Sequence, residues 1–262
     1  MNWPDLTSDD VDAWGRSQLA RQISARLLDP AYKHWFRVEW DGMHNIPTEG
    51  PALLVANHSG VVPVDGPLIT HGIEQEMGRP VYSLHAEALR AMPVIGLLLA
   101  RNGGVVANPD NASRLLREDR ALVLVFPEGS KGANKPLSEL YRLQRFGRGG
   151  FVQTALGAGV PIVPLAVVGA EETMPAAAIV RGADGQPQPV TLNSILLGPA
   201  LAFLPFPSKI RIHALAPIEL DQPAGLDSYP ANIVAEVAED VRTLIQNEVD
   251  TMLSARRSSM GA

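Results

Sequence analysis

The chain has no cysteine among its 262 residues, which excludes a disulfide framework, a thiolate zinc site and a cysteine nucleophile. It is also short of positive charge. With 22 Lys and Arg against 28 Asp and Glu, the formal net charge is -6. That argues against a bulk electrostatic partnership with nucleic acid, and any anionic ligand must be held by local cations. No apolar run reaches the ~20 residues that span a bilayer. Long nearly uncharged stretches, such as 194–208, are interrupted by Pro and Gly. The opening MNWPDLTSDD lacks the basic region and apolar stretch of a secretory signal, so the expected location is the cytoplasm. No His-Glu-x-x-His helix or comparable ligand set occurs, and no metal is expected. What is present is 46% hydrophobic residues, enough for a sizeable core, with no Ser/Gly-rich linker to divide it.

The local pattern predicts an α/β fold. Asp9 and Asp10 suit the first turn of a helix over about 8–28, which Asp29-Pro30 would end. From Pro51 onward, short apolar runs alternate with helical stretches, the signature of βαβ units and a mostly parallel sheet flanked by helices. Strands are expected over 52–55, 81–84, 104–107, 121–126, 162–168 and 209–214, with helices over 111–118 and 151–158. Behind Pro230, apolar residues from Ile233 to Met252 recur at helical spacing, predicting a docked C-terminal amphipathic helix. Arg256 and Arg257 read as a loose tail. The organisation is an N-terminal helical segment, 1–40, added to one main domain, 41–262.

Two constellations carry chemistry. Asn57-His58-Ser59-Gly60 follows the strand at 52–55, and Asp65 stands seven residues after His58. Open α/β sheets bind ligands at the carboxyl ends of their strands. A carboxylate in the same loop can hold one ring nitrogen of the histidine and stabilise the imidazolium that forms on the other. Alone, the pair is weak evidence, and a structural histidine is the better reading. The second constellation, Phe126-Pro127-Glu128-Gly129-Ser130-Lys131-Gly132, follows the strand at 121–126 and should emerge on the same edge.

Together with Arg101-Asn102-Gly103-Gly104-Val105 and Val160-Pro161-Ile162-Val163-Pro164-Leu165, these blocks resemble, in order, the four blocks of the lysophosphatidic acid acyltransferase family within the glycerolipid acyltransferase superfamily. The family hallmarks are a His-x4-Asp motif and a Phe-Pro-Glu-Gly block. The resemblance implies acyl transfer from acyl-CoA or acyl carrier protein to a hydroxyl of a glycerolipid or lysophospholipid. His58 would be the general base and Asp65 its partner. Substrate contacts would fall to Glu128, Gly129, Ser130 and Lys131, with ordering of the loop by structural hydrogen bonds the alternative for Glu128. No cofactor is implied beyond the thioester co-substrate, and the expected setting is the cytoplasmic face of a membrane, bound peripherally.

Three positions depart from the family pattern. Its aspartate would stand at Pro63, so the loop must bulge for Asp65 to reach His58; this longer spacing looks more like the monoacylglycerol and diacylglycerol acyltransferase branch. An Arg implicated in holding acceptor phosphate falls at about Pro109, and Lys131 stands where Arg is usual. Arg145 and Arg148, in a Gly-rich turn that opens a helix, are the alternative candidates for holding a phosphate or headgroup, against the reading of a solvated basic loop.

The apolar run 91–100 and the stretch 195–207 are candidates for an acyl-channel wall or a membrane contact, against ordinary core packing. His85, after a strand, is read as a supporting residue, and His34, His44, His71 and His213 as packing or surface residues. A hydrolase lacks its Gly-x-Ser-x-Gly elbow here, and a non-catalytic lipid carrier finds its best argument in the displaced aspartate.

Overall fold

The structure, a computed structural model, describes residues 10–60, 63–133, 135–147, 149–181, 187–226 and 228–260. Among the described residues nine strands are assigned: β1 Glu39–Asp41, β2 Ala52–Ala56, β3 Val81–His85, β4 Gly104–Val106, β5 Leu122–Val125, β6 Ile162–Val168, β7 Ala176–Arg181, β8 Pro187–Thr191 and β9 Arg211–Ala214. The helices are α1 Gln18–Pro30, α2 Asp65–Met77, α3 Glu87–Arg90, α4 Pro93–Arg101, α5 Pro109–Arg117, α6 Ser130–Ala133, α7 Gly150–Ala158, α8 Leu192–Leu197 and α9 Ala231–Met260.

Seven strands form one sheet in the order β1-β9-β6-β2-β5-β3-β4. All neighbours pair in parallel except β6 with β9. The fold is therefore α/β with a mostly parallel mixed sheet, as the alternating pattern predicts. The central strands read as unbroken apolar runs because both faces are covered. Leu53 and Val55 of β2 pack with Leu115, Ala155, Val241 and Ile245 from α5, α7 and α9. Ala52, Leu54 and Ala56 pack on the other face with Leu68, Ile69 and Ile73 of α2. The parallel pairing of β2, β5 and β3 brings His58, Phe126 and His85 out on one edge.

Two expectations at the chain ends are corrected. Helix α1 starts at Gln18, not near residue 8, and runs through Pro30. Ser17 caps it, accepting from Ala20 N–H, while Asp10 accepts the N–H groups of Gln18 and Leu19 from across a turn containing Gly15 at φ 93°. Asp10 thus serves the first turn from outside the helix; Asp9 lies outside the described residues. At the other end Arg256 is no loose tail. It lies within α9, and its guanidinium spans both carboxylate oxygens of Glu172 at 2.6 and 2.9 Å. The β7–β8 hairpin was not anticipated. Among the described residues, no helix is long and apolar enough to cross a membrane.

Candidate active site

The exit of β2 is fixed before the histidine is reached. The side chain of Asn57, fully buried, exchanges hydrogen bonds with the backbone of Val167 at 2.8 and 3.0 Å and so extends the β2–β6 ladder by one rung. The chain then turns, and Asp65 comes back at the first residue of α2 with its Oδ2 3.0 Å from His58 Nδ1. The same oxygen accepts from Ser59 N–H and Ser59 Oγ–H, each at 2.8 Å, and Oδ1 accepts from Gly66 N–H at 2.7 Å. A carboxylate with no exposed surface is thus fully engaged. The six-residue interval between His58 and Asp65, two longer than the family's four, still delivers the contact.

Burial and three charged groups act on the imidazole. Burial, the largest influence, pushes its pKa down; the charge and hydrogen bond of Asp65 and the charge of Glu128 push it up, against a smaller opposing effect from Lys135. The net direction is upward. The ring stacks on Phe126 with centroids 4.3 Å apart and keeps 17% of its side-chain surface exposed. With Nδ1 committed to Asp65, Nε2 is the nitrogen available to a substrate.

Glu128, offered by the sequence as a substrate contact, is buried and turned inward. Its Oε1 accepts the backbone N–H of His58 at 2.9 Å, and its Oε2 accepts Gln144 N–H at 2.7 Å and lies 3.2 Å from Lys135 Nζ. Lys135 in turn lies 2.8 Å from Glu171 Oε1, and Glu171 Oε2 accepts Tyr141 N–H. Burial, opposed by Lys135, holds the Glu171 carboxyl above the usual range. This chain ties the ends of β2, β5 and β6 to the 135–144 loop. Sequence reasoning missed Lys135, Glu171 and Gln144, because each lies remote in sequence from the group it holds. Gly132 belongs to the same packing: a Cβ there would stand 2.6 Å from Glu128 Cβ and 3.1 Å from His58 Cβ.

The tip of the block, Gly129, Ser130 and Lys131, is exposed. Arg145 is exposed as well, and its charge acts on Glu239 of α9; no hydrogen bond or ion pair joins it to His58, Asp65 or Glu128. Arg148 lies outside the described residues. One glycine of this turn has a packing reason: a Cβ on Gly149, at φ 75°, would stand 2.5 Å from Val234 Cγ1 of α9. Pro109, in place of the family's Arg, is the first residue of α5 behind its cap Asn108.

A cavity of about 240 Å³ opens beside His85, lined on its apolar side by Leu99, Ala100 and Val105 and on its polar side by Arg90, Asn111 and Arg114. His85 Nε2 lies 2.8 Å from Ser83 Oγ, and burial, with a smaller effect from the His58 charge, pushes its pKa down. The run 91–100 therefore divides: Leu99 and Ala100 face the cavity, whereas Val94, Leu97 and Leu98 are exposed, and core packing does not account for them. His213 pairs with Glu248 at 2.8 Å, and His71 is buried against Tyr32.

Residues 37–168 match the family model described as Acyltransferase. Across 97% of the chain the sequence is 40% identical to an uncharacterized protein of Mycobacterium tuberculosis, of which it covers 72%. Over 146 residues, 56% of the chain, it is 30% identical to the human protein named DGAT1/2-independent enzyme synthesizing storage lipids, 44% of which is covered. Among solved structures, the 1-acyl-sn-glycerophosphate (LPA) acyltransferase PlsC of Thermotoga maritima superposes with a TM-score of 0.57 at 19% identity. That match covers 88% of this chain and 78% of the other, and it is a likeness of fold.

Proposed function

From the premise that this chain belongs to the acyltransferase family, we propose that it transfers a fatty acyl group from acyl-CoA or acyl carrier protein to a hydroxyl of a glycerolipid or lysophospholipid at a membrane surface. His58 is the general base. The observation that carries this reading is the 3.0 Å contact between His58 Nδ1 and a buried Asp65, which leaves Nε2 for the acceptor hydroxyl.

The acceptor O–H donates to Nε2, and its oxygen attacks the thioester carbonyl as the proton passes to His58. The tetrahedral intermediate collapses with cleavage of the C–S bond, and the imidazolium returns the proton to the departing thiolate. General-base catalysis contributes roughly 10²–10⁴ in rate, with positioning and oxyanion stabilisation supplying more. Of the backbone donors near the histidine, Ser59 N–H serves Asp65 and Gly129 N–H serves Phe126 O, which narrows the oxyanion candidates to Gly60 and Ser130. Glu128 acts by fixing the backbone of His58, and Gly129, Ser130 and Lys131 form the exposed rim against which substrate would lie.

A neutral acceptor, monoacylglycerol or diacylglycerol, is the second reading. Pro109 removes the expected phosphate-holding Arg, and the human relative is named for storage lipids. An acceptor screen separates the two: purified protein, one long-chain acyl-CoA, and lysophosphatidic acid, other lysophospholipids, monoacylglycerol and diacylglycerol assayed singly by mass spectrometry. Acylation of lysophosphatidic acid alone would remove the neutral reading. Acylation of glycerides alone would remove the phosphate reading.

A further inference from the structure

Large apolar side chains exposed to water are not spread evenly over this molecule. Of the nineteen that are exposed among the described residues, six lie in 89–98 and eight in 179–204. Within these segments Phe203 is 75%, Val94 70% and Leu196 69% exposed; outside them only Leu27, at 76%, is comparable among the described residues. A concentration of this kind marks a contact surface and not the ordinary scatter of a soluble exterior.

The sheet order says where these segments stand. The first leaves the sheet from β3 and the second from β6, and these two strands flank the β2–β5 pair that ends in His58 and Glu128. Both excursions begin at the edge where the histidine emerges. The second is not a loose loop that happens to be apolar. Asn193, fully buried, donates to the carbonyls of Thr173 and Leu204, Phe206 N–H donates to the carbonyl of Thr173, and Trp35 Nε1–H donates to the carbonyl of Pro205. These bonds hold the backbone while Ile195, Leu196 and Phe203 face outward.

Charge identifies the occupant. In a chain of net charge -6, no carboxylate occurs in 88–109 or in 187–218, and the exposed Arg90 and Arg181 adjoin the apolar positions, while Lys209 and Arg211 pair with Glu39 and Asp41. An apolar face cleared of negative charge and bordered by cations matches an anionic bilayer, where the side chains enter the acyl boundary and the cations meet headgroups. We propose that 179–181 and 187–204, with 89–98, form the surface by which the protein docks on an anionic lipid bilayer, seating the His58 edge against the leaflet from which a lipid acceptor arrives. The proposal rests on the lipid-acyltransferase reading for its purpose and on the exposed apolar face for its geometry.

The absence of cysteine gives a clean test. Phe203→Cys and, as a control on the outer face of α9, Leu244→Cys are each labelled with an environment-sensitive fluorophore in the full chain and mixed with vesicles of phosphatidylglycerol and phosphatidylcholine. The expected result is a blue shift at 203 and none at 244, increasing with the phosphatidylglycerol fraction. In vesicle flotation, Leu196→Asp/Phe203→Asp should bind about tenfold or more weakly than the parent while retaining its melting temperature. No shift at 203, or undiminished flotation of the double variant, overturns the proposal. So does sedimentation showing that the parent is a dimer, the double variant a monomer, and neither bound to vesicles, since the face would then be a contact between copies. Acyl transfer is assayed separately with acceptor below its micelle concentration. Vesicle binding without any transfer would leave the docking surface standing and remove the acyltransferase reading; transfer without vesicle binding would do the reverse.

Discussion

Two loops leave the same sheet edge and treat water in opposite ways. The turn after β2, residues 57–66, takes polar groups inside: Asn57, Ser59 and Asp65 are buried, each with partners. The excursion after β6, residues 169–208, puts apolar groups outside, with Leu196 and Phe203 largely exposed. The first arrangement is self-sufficient, because every Asp65 oxygen is satisfied within the fold. The second leaves its apolar groups without cover from the described residues, and under the proposed docking a lipid surface would cover them.

The strongest way to break this contrast is at the histidine. His58→Ala should lower kcat at least about a hundredfold and up to about ten-thousandfold while leaving the melting temperature close to the parent's, measured by thiol release and thermal unfolding. Undiminished turnover would remove His58 as base.

Asp65→Asn keeps the shape and removes the charge. Turnover should fall by about a hundredfold or more, and the acid limb of the pH–rate profile should move to lower pH, because burial of the ring would then be opposed chiefly by Glu128. The sign matters for stability too. A histidine whose folded pKa is raised stabilises the fold below its ordinary value and loses that contribution as pH rises through the folded value, so activity grows across the window in which this contribution fades.

Lys135→Met tests the buried brace. It leaves Glu128 and Glu171 facing one another uncompensated, and the expected loss is about 3–5 kcal/mol of stability. Lys135→Met/Glu171→Met should recover part of it, and a double variant no more stable than the single would contradict the pairing. Gly132→Ala, forcing a methyl against Glu128 and His58, should cost about 1–3 kcal/mol, read by denaturant unfolding.

These outcomes also mark what could be read from the chain. The central strands and α9 were legible because burial on both faces, or on one helical stripe, writes itself into local apolar spacing. His58, Asp65 and the Phe-Pro-Glu-Gly block were legible as residues, and parallel strand order accounts for their meeting. The direction of Glu128 was not, since its partners Lys135, Gln144 and the His58 amide come from different loops. Neither was the start of α1, where Asp10 imitates a first-turn acid while capping from outside. The β7–β8 hairpin was missed for a physical reason as well: its Ala-rich and Pro-containing strands pair with each other, off the main sheet, and β7 is exposed over Ala178–Arg181.

The most direct test of the central claim is thiol release from one long-chain acyl-CoA, with and without lipid acceptor, for the parent and His58→Ala, with products identified by mass spectrometry. The account predicts release that depends on acceptor, equals the acylated product formed, and disappears in His58→Ala. Release without acceptor, or a product that survives in His58→Ala, would contradict it.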